Sequence, residues 1–101
     1  MSELYREIYE IVKQVPAGFV TTYGDVAART GNPRRSRIVG SAMATCNDKN
    51  VPCHRVIRKD GSLDGTFGIG GSGYKKFLLE SEGITFLEDG RVDLTKHLWI
   101  Y

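Results

Sequence analysis

Cys53 is the residue whose surroundings most clearly offer chemistry. It stands in the run Val51-Pro52-Cys53-His54-Arg55-Val56, beside a histidine and an arginine, with a proline fixing the chain on entry. A free thiol is only a few per cent ionised near neutral pH, and cationic neighbours raise that fraction. The competing reading is a small buried hydrophobe, the commoner fate of a cysteine. In an extended chain, side chains at i and i+1 point opposite ways, so a direct Cys53–His54 hydrogen bond needs a bend or a bridging water. Cys46 is the second cysteine and reads as a bystander. Two cysteines are too few for a disulfide framework, and His54 and His97 give no zinc-finger spacing, so no metal site is expected.

The charge that would surround such a thiol is unevenly placed. The net charge of +2 says little, but residues 26–47 contain no Asp or Glu while holding Arg29, Arg34, Arg35 and Arg37. That cluster suits a phosphate-binding surface, with an ordinary solvated face as the alternative. A length of 101 residues accommodates one domain, residues 1–101. No apolar run approaches a membrane span, so no membrane partner is expected. The opening Met1-Ser2-Glu3-Leu4 lacks the basic and apolar regions of a signal peptide, giving a cytoplasmic expectation, or a nuclear one in a eukaryote.

The elements that must hold these residues can be read from pattern. Residues 3–14 place Leu4, Ile8, Ile11 and Val12 at helical spacing, with Tyr5 and Tyr9 as packing residues, before Val15-Pro16-Ala17-Gly18 ends the helix. Thr22 and Asp25 fit a capping pattern for a helix beginning at Tyr23. Gly31-Asn32-Pro33 breaks the chain. A further helix is expected over 34–45, started by arginines and kept slim by Gly40, Ser41 and Ala44. Helix, short break, basic-started helix is a helix-turn-helix layout, with a plain helical hairpin as the alternative. Residues 51–57 read as a buried extended segment and Lys59-Asp60-Gly61-Ser62 as a hairpin turn. Five glycines within 64–73 suggest a binding loop or a passive connector. A helix over 74–82 ends at Gly83, a hairpin turns at Asp89-Gly90, and Leu98-Trp99-Ile100 anchors the end. The class is mostly α with small β elements, a winged helix-turn-helix-like domain.

Four blocks then fall in a telling order: Thr22-Tyr23-Gly24, Arg37-Ile38-Val39-Gly40-Ser41-Ala42-Met43, Pro52-Cys53-His54-Arg55-Val56-Ile57 and Leu78-Leu79-Glu80-Ser81-Glu82-Gly83. Together they closely resemble the DNA-binding, active-site domain of the O6-alkylguanine-DNA alkyltransferases, over essentially residues 4–99. The resemblance implies that Cys53 accepts an alkyl group, that His54 acts through a water as its base, and that Glu82 orients His54. It implies that Tyr23 protonates the departing guanine and that Arg37 fills the gap left by a flipped base. Thr22, Tyr23, Arg34, Arg35, Ser36, Arg37, Gly40 and Ala42 would face double-stranded DNA. In this family the second helix lies in the minor groove. Val56, Thr66 and Phe67 would line the base pocket, and Asn47 would be the hinge asparagine. Transfer to sulfur leaves a thioether with no easy route back, so the implied reaction is single-turnover, with no metal or organic cofactor.

The sequence departs from that family in three places. The additional N-terminal domain of typical alkyltransferases has no counterpart in a chain of this length. Its size matches the alkyltransferase-like proteins, which bind alkylated DNA but usually carry tryptophan where Cys53 stands. The stretch around Asn47 is shorter by about two residues than the family's hinge loop, and Gly65-Thr66-Phe67-Gly68-Ile69-Gly70-Gly71 lacks the family's loop tyrosine. Two alternatives to alkyl transfer follow: a damage sensor that recruits nucleotide excision repair proteins, and a winged-helix regulator without lesion chemistry.

Overall fold

The computed structural model describes residues 2–63 and 71–101. Among them, five α-helices carry the fold: α1 Glu3–Lys13, α2 Tyr23–Arg29, α3 Ser36–Thr45, α4 Gly71–Ser81 and α5 Leu94–His97. Two very short strands, β1 Thr21–Thr22 and β2 Val56–Ile57, pair in parallel with Thr21 opposite Val56 and Thr22 opposite Ile57. The mostly helical class read from the pattern is the one observed. Thr66 and Phe67, expected in the base pocket, lie outside the described residues.

Local chemistry accounts for the helix boundaries. Ser2 caps α1 by accepting the Tyr5 N–H at 3.1 Å. The apolar stripe of α1 buries Ile8, Tyr9 and Val12, and the Tyr9 hydroxyl donates to the Ala42 carbonyl at 3.2 Å. Thr22 caps α2 through the Asp25 N–H, also at 3.1 Å, as its spacing suggested. After α2, Gly31 takes a positive φ and the Asn32 side chain accepts the Arg34 N–H at 2.9 Å. Pro33 then opens a 3-10 turn, Pro33–Arg35, that runs directly into α3. The helix expected over 34–45 therefore begins two residues later, its arginines held in the tighter turn. α2, this turn and α3 pack together as the helix-turn-helix.

α4 begins at Gly71, ahead of the expected residue 74, so Gly71 and Gly73 belong to a helix rather than to the glycine-rich loop. Gly83 ends it: φ is +90°, the Gly83 N–H reaches the Glu80 carbonyl, and the Ile84 N–H reaches the Leu79 carbonyl. This reverse turn satisfies the last carbonyls of the helix and needs a residue free of a Cβ. The wing is slight: Phe86 and Val92 form one antiparallel bridge around Asp89-Gly90.

Two apolar cores result. One gathers α1, α2 and α3 around Val26, Val39 and Met43 and includes Val51 and Val56. The other gathers Val20, Ile57, Leu79, Ile84 and Val92. Strand alternation explains the division, since adjacent Val56 and Ile57 must face opposite ways. The chain's ends are closed over the second core. The Val20 N–H donates to the His97 carbonyl at 2.9 Å and the Trp99 N–H to the Val20 carbonyl at 2.8 Å. His97 adds a brace: its Nε2 accepts the Thr85 N–H at 3.0 Å, which leaves Nδ1–H to donate to the Gly18 carbonyl at 3.1 Å.

The Thr21 hydroxyl is fully buried and has no hydrogen-bond partner among the described residues. A buried unsatisfied hydroxyl costs about 1–3 kcal/mol. Thr21→Val keeps the shape and removes the oxygen, so it is expected to raise the urea unfolding midpoint, by about 1 kcal/mol in stability; a lowered midpoint would contradict this account.

Candidate functional site

The segment carrying Cys53 is bent, not extended. The Cys53 N–H donates to the Val51 carbonyl at 2.8 Å, and Pro52 has φ −78° and ψ 69°. Those are the angles of an inverse γ-turn, and the fixed φ of proline suits its centre. A 3-10 turn, Cys53–Arg55, follows before β2 begins at Val56. The extended segment expected over 51–57 is thus reduced to Val56–Ile57. The bend departs from the strand alternation that would have set adjacent Cys53 and His54 on opposite sides.

Behind the bend stands Glu82, one residue past the end of α4. Its carboxylate accepts from His54 Nε2 at 2.9 Å. It also accepts a forked pair from Arg55, Nε at 2.9 Å and Nη2 at 2.6 Å. Arg55 Nη1 continues to the Val15 carbonyl at 2.7 Å, tying in the chain beyond α1. Burial alone would raise the Glu82 carboxyl, but the hydrogen bonds and charges of Arg55 and His54 hold it below its ordinary value. With Glu82 ionised, His54 keeps its proton on Nε2, and Nδ1 is the atom able to take another. The His54–Glu82 pairing implied by the resemblance is therefore present, and Arg55 completes it as a positioning cation that sequence reasoning passed over.

Cys53 itself is half-buried, and its thiol is pushed up to about 12, first by burial and then by the neighbouring Cys46 thiol. Adjacent cations do not activate it as the sequence suggested. Attack by this sulfur requires the proton to leave as the new bond forms, which is the task a His54–water pair can perform.

Cys53 opens into a cavity of about 400 Å³ with an apolar lining that includes Met43, Val51 and Leu78, and with Asn47, His54 and Lys75 at its polar points. Lys75 is almost fully buried, its Nζ donating to the Val56 carbonyl at 2.6 Å and lying 5.8 Å from the centre of the Tyr23 ring. Its charge pulls the Cys53 thiol down, though less than burial lifts it. Sequence reading treated Lys75 as part of an ordinary helix. The available signal was its place four residues before buried Leu79, which puts it on the core face.

The expected DNA-facing residues divide. Arg34 and Arg37 are exposed, and Gly40 lies where an added Cβ would meet nothing within 4 Å. Ser36 starts α3 and is half-buried. Arg35 is engaged internally, donating to the Thr30 carbonyl and hydroxyl at 3.3 Å. Two placements correct the expectation. Ala42 is fully buried in the first core, because α3 must turn that stripe toward α1, and so it cannot face a groove. Thr22 is buried with its hydroxyl committed to the α2 cap. Val56 is also buried, its side chain in the first core, and its carbonyl accepts from Lys75. Tyr23 is half-buried, and Asn47 is exposed at the cavity rim.

Comparison with known proteins adds an independent line. Residues 3–84 match the family model for the DNA-binding domain of 6-O-methylguanine DNA methyltransferase. The chain is 35% identical to alkyltransferase-like protein 1 of Schizosaccharomyces pombe, over 98% of this chain and 96% of that protein. It is 40% identical to a methylated-DNA–protein-cysteine methyltransferase of Methanosarcina acetivorans, over 81% of this chain but 52% of that protein. It spans 31% of a bifunctional methyltransferase/endonuclease of Picrophilus torridus. The crystal structure of the S. pombe protein with damaged DNA containing O6-carboxymethylguanine superposes with a TM-score of 0.86 at 33% identity, covering 100% and 98% of the two chains.

Two outcomes test the site. The Cys53 thiol is raised from 9.0, so the folded state holds its proton more tightly than the unfolded chain. That contribution is fully present below pH 9.0 and is lost as pH rises toward about 12. Wild type is therefore expected to lose stability relative to Cys53→Ser across that window, read by urea unfolding at stepped pH. Arg55→Met removes one partner of a largely buried ion pair and is expected to cost about 3 kcal/mol, measured the same way at neutral pH; an unchanged midpoint would show Glu82 does not depend on it.

Proposed function

Because the chain belongs to the 6-O-methylguanine DNA methyltransferase family, we propose that it binds double-stranded DNA containing O6-alkylguanine, flips the base, and transfers the alkyl group irreversibly to Cys53. The observation that carries this reading is the Glu82–His54 hydrogen bond immediately behind a half-buried cysteine that opens into an apolar cavity. The alkyl carbon of such a base is shielded in a duplex, so the base must leave the stack to meet a buried sulfur. Arg37, exposed on α3, would occupy the vacated space and offset part of the few kcal/mol that unstacking costs. Arg34 adds charge toward phosphate on the same face.

In the reaction, the Cys53 sulfur attacks the alkyl carbon as His54 Nδ1 draws the thiol proton through a water. The carbon–oxygen bond breaks, and the guanine oxygen or ring takes up a proton, which Tyr23 would supply. Glu82 stabilises the imidazolium that forms, and Arg55 keeps Glu82 ionised and in place. The product is a thioether, and each molecule acts once.

A second reading has its own support. The Cys53 thiol raised to about 12 favours a protein that binds the lesion without transfer, and the chain matches an alkyltransferase-like protein along nearly its whole length. Such a protein would hand the lesion to nucleotide excision repair. The two readings separate in one measurement: incubation with a duplex carrying labelled O6-methylguanine, followed by intact mass. A gain of one methyl group, absent in Cys53→Ser, is the expected result. Tight, lesion-selective binding with no mass change would replace transfer by sensing.

A further inference from the structure

Cys46 is placed beside the acceptor by a turn that has no other evident purpose in the site. It ends α3 with an extended backbone, φ −73° and ψ 127°. The six residues between Cys46 and Cys53 then fold back: the Asn50 N–H donates to the Asp48 carboxylate at 2.9 Å and the Val51 N–H to the Asp48 carbonyl at 3.1 Å. The γ-turn at Pro52 completes the return. Both cysteines are free thiols, both are half-buried, both pack against the first apolar core, and both line the same cavity. The Cys46 thiol reaches back toward the Asp48 carbonyl at 3.9 Å, and its nearness is among the causes that push the Cys53 thiol up.

We propose that Cys46 and Cys53 form a reversible disulfide that withdraws the acceptor sulfur, with a low-molecular-weight disulfide of the glutathione class as oxidant. Cys46 makes the first attack. Its thiolate bonds to one sulfur of the small disulfide and expels the other as a thiolate, which takes up a proton. Cys53 then loses its proton and attacks the Cys46 sulfur, expelling the second small thiol. Two protein thiols are oxidised by two electrons, and one small disulfide is reduced to two thiols. The short loop gives Cys53 a high effective concentration against any second oxidant molecule. The effect on alkyl acceptance rests on the proposed function; formation of the bond does not.

The test uses the full chain, reduced and then incubated with glutathione disulfide at neutral pH before an acid quench. Both thiols are expected to disappear, the intact mass to fall by two hydrogens, and dithiothreitol to restore both. Lys49 lies between the two cysteines, so trypsin separates them unless the new bond joins the peptides. Cys46→Ser is expected to give a glutathione adduct or unreacted Cys53. Stable glutathione adducts on the wild type, cross-linked dimers, or two persistent thiols would each overturn the pair, and these readings need no variant. A second arm adds the O6-methylguanine duplex: the oxidised protein gains no methyl group and the re-reduced protein does. Disulfide formation in a protein that takes no methyl when reduced would remove the proposed transfer while leaving the redox pair. Methyl gain without any internal disulfide would do the reverse.

Discussion

A single carboxylate holds together the parts of this molecule that do chemistry. Glu82 receives His54 and both forks of Arg55 across 28 and 27 residues of sequence, and Arg55 reaches on to Val15 across 40. Taking an acid and an arginine out of water is costly, and only close, multiply bonded geometry repays it. The forked pairing meets that requirement, and it fixes where the end of α4, the bend at Cys53 and the end of α1 must lie. The histidine is oriented as a by-product of satisfying the ion pair.

The site lies on the seam between two cores. Val56 belongs to one and Ile57 to the other, so the two-residue strand joins them without either core absorbing the segment before it. That leaves the bend at Pro52 free to present sulfur to a cavity instead of burying it among valines. At the same seam lies the buried Lys75, whose amine donates to the Val56 carbonyl. A cation there lies 5.8 Å from the centre of the Tyr23 ring and also lowers the thiol.

Much of this was legible in the residues themselves. Capping by Thr22, the break at Gly31-Asn32-Pro33 and the stop at Gly83 depend on local backbone chemistry, which a sequence displays directly. The block order around Cys53, with His54 and Glu82, identified the pair that the structure brings together. Features set by tertiary packing were not legible. Ala42 was read as groove-facing because it is small, but which stripe of α3 turns inward depends on α1. Arg55 and Lys75 were overlooked because a charge is usually solvated, and only contacts from distant segments reveal one that is not. Cys46 was set aside because the turn at 47–50, though legible in its Asn and Asp residues, does not say which segment the chain returns to. The bend itself was missed because Val51, Cys53, Val56 and Ile57 are apolar and mostly β-branched, which reads as a buried extended segment.

The closure of Val20 on Leu98 and of Gly18 on His97 has a consequence for how the protein comes into being. A nascent chain leaves the ribosome from its amino end, and α1, α2 and α3 can collapse on one another as soon as they emerge. The segment beyond α1, which Arg55 grips, acquires its outer brace only when residues 97–99 have been made. Contacts of such long sequence separation form late. In vectorial synthesis the residues of the helix-turn-helix are therefore available before Glu82 and residues 97–99, which finish the site.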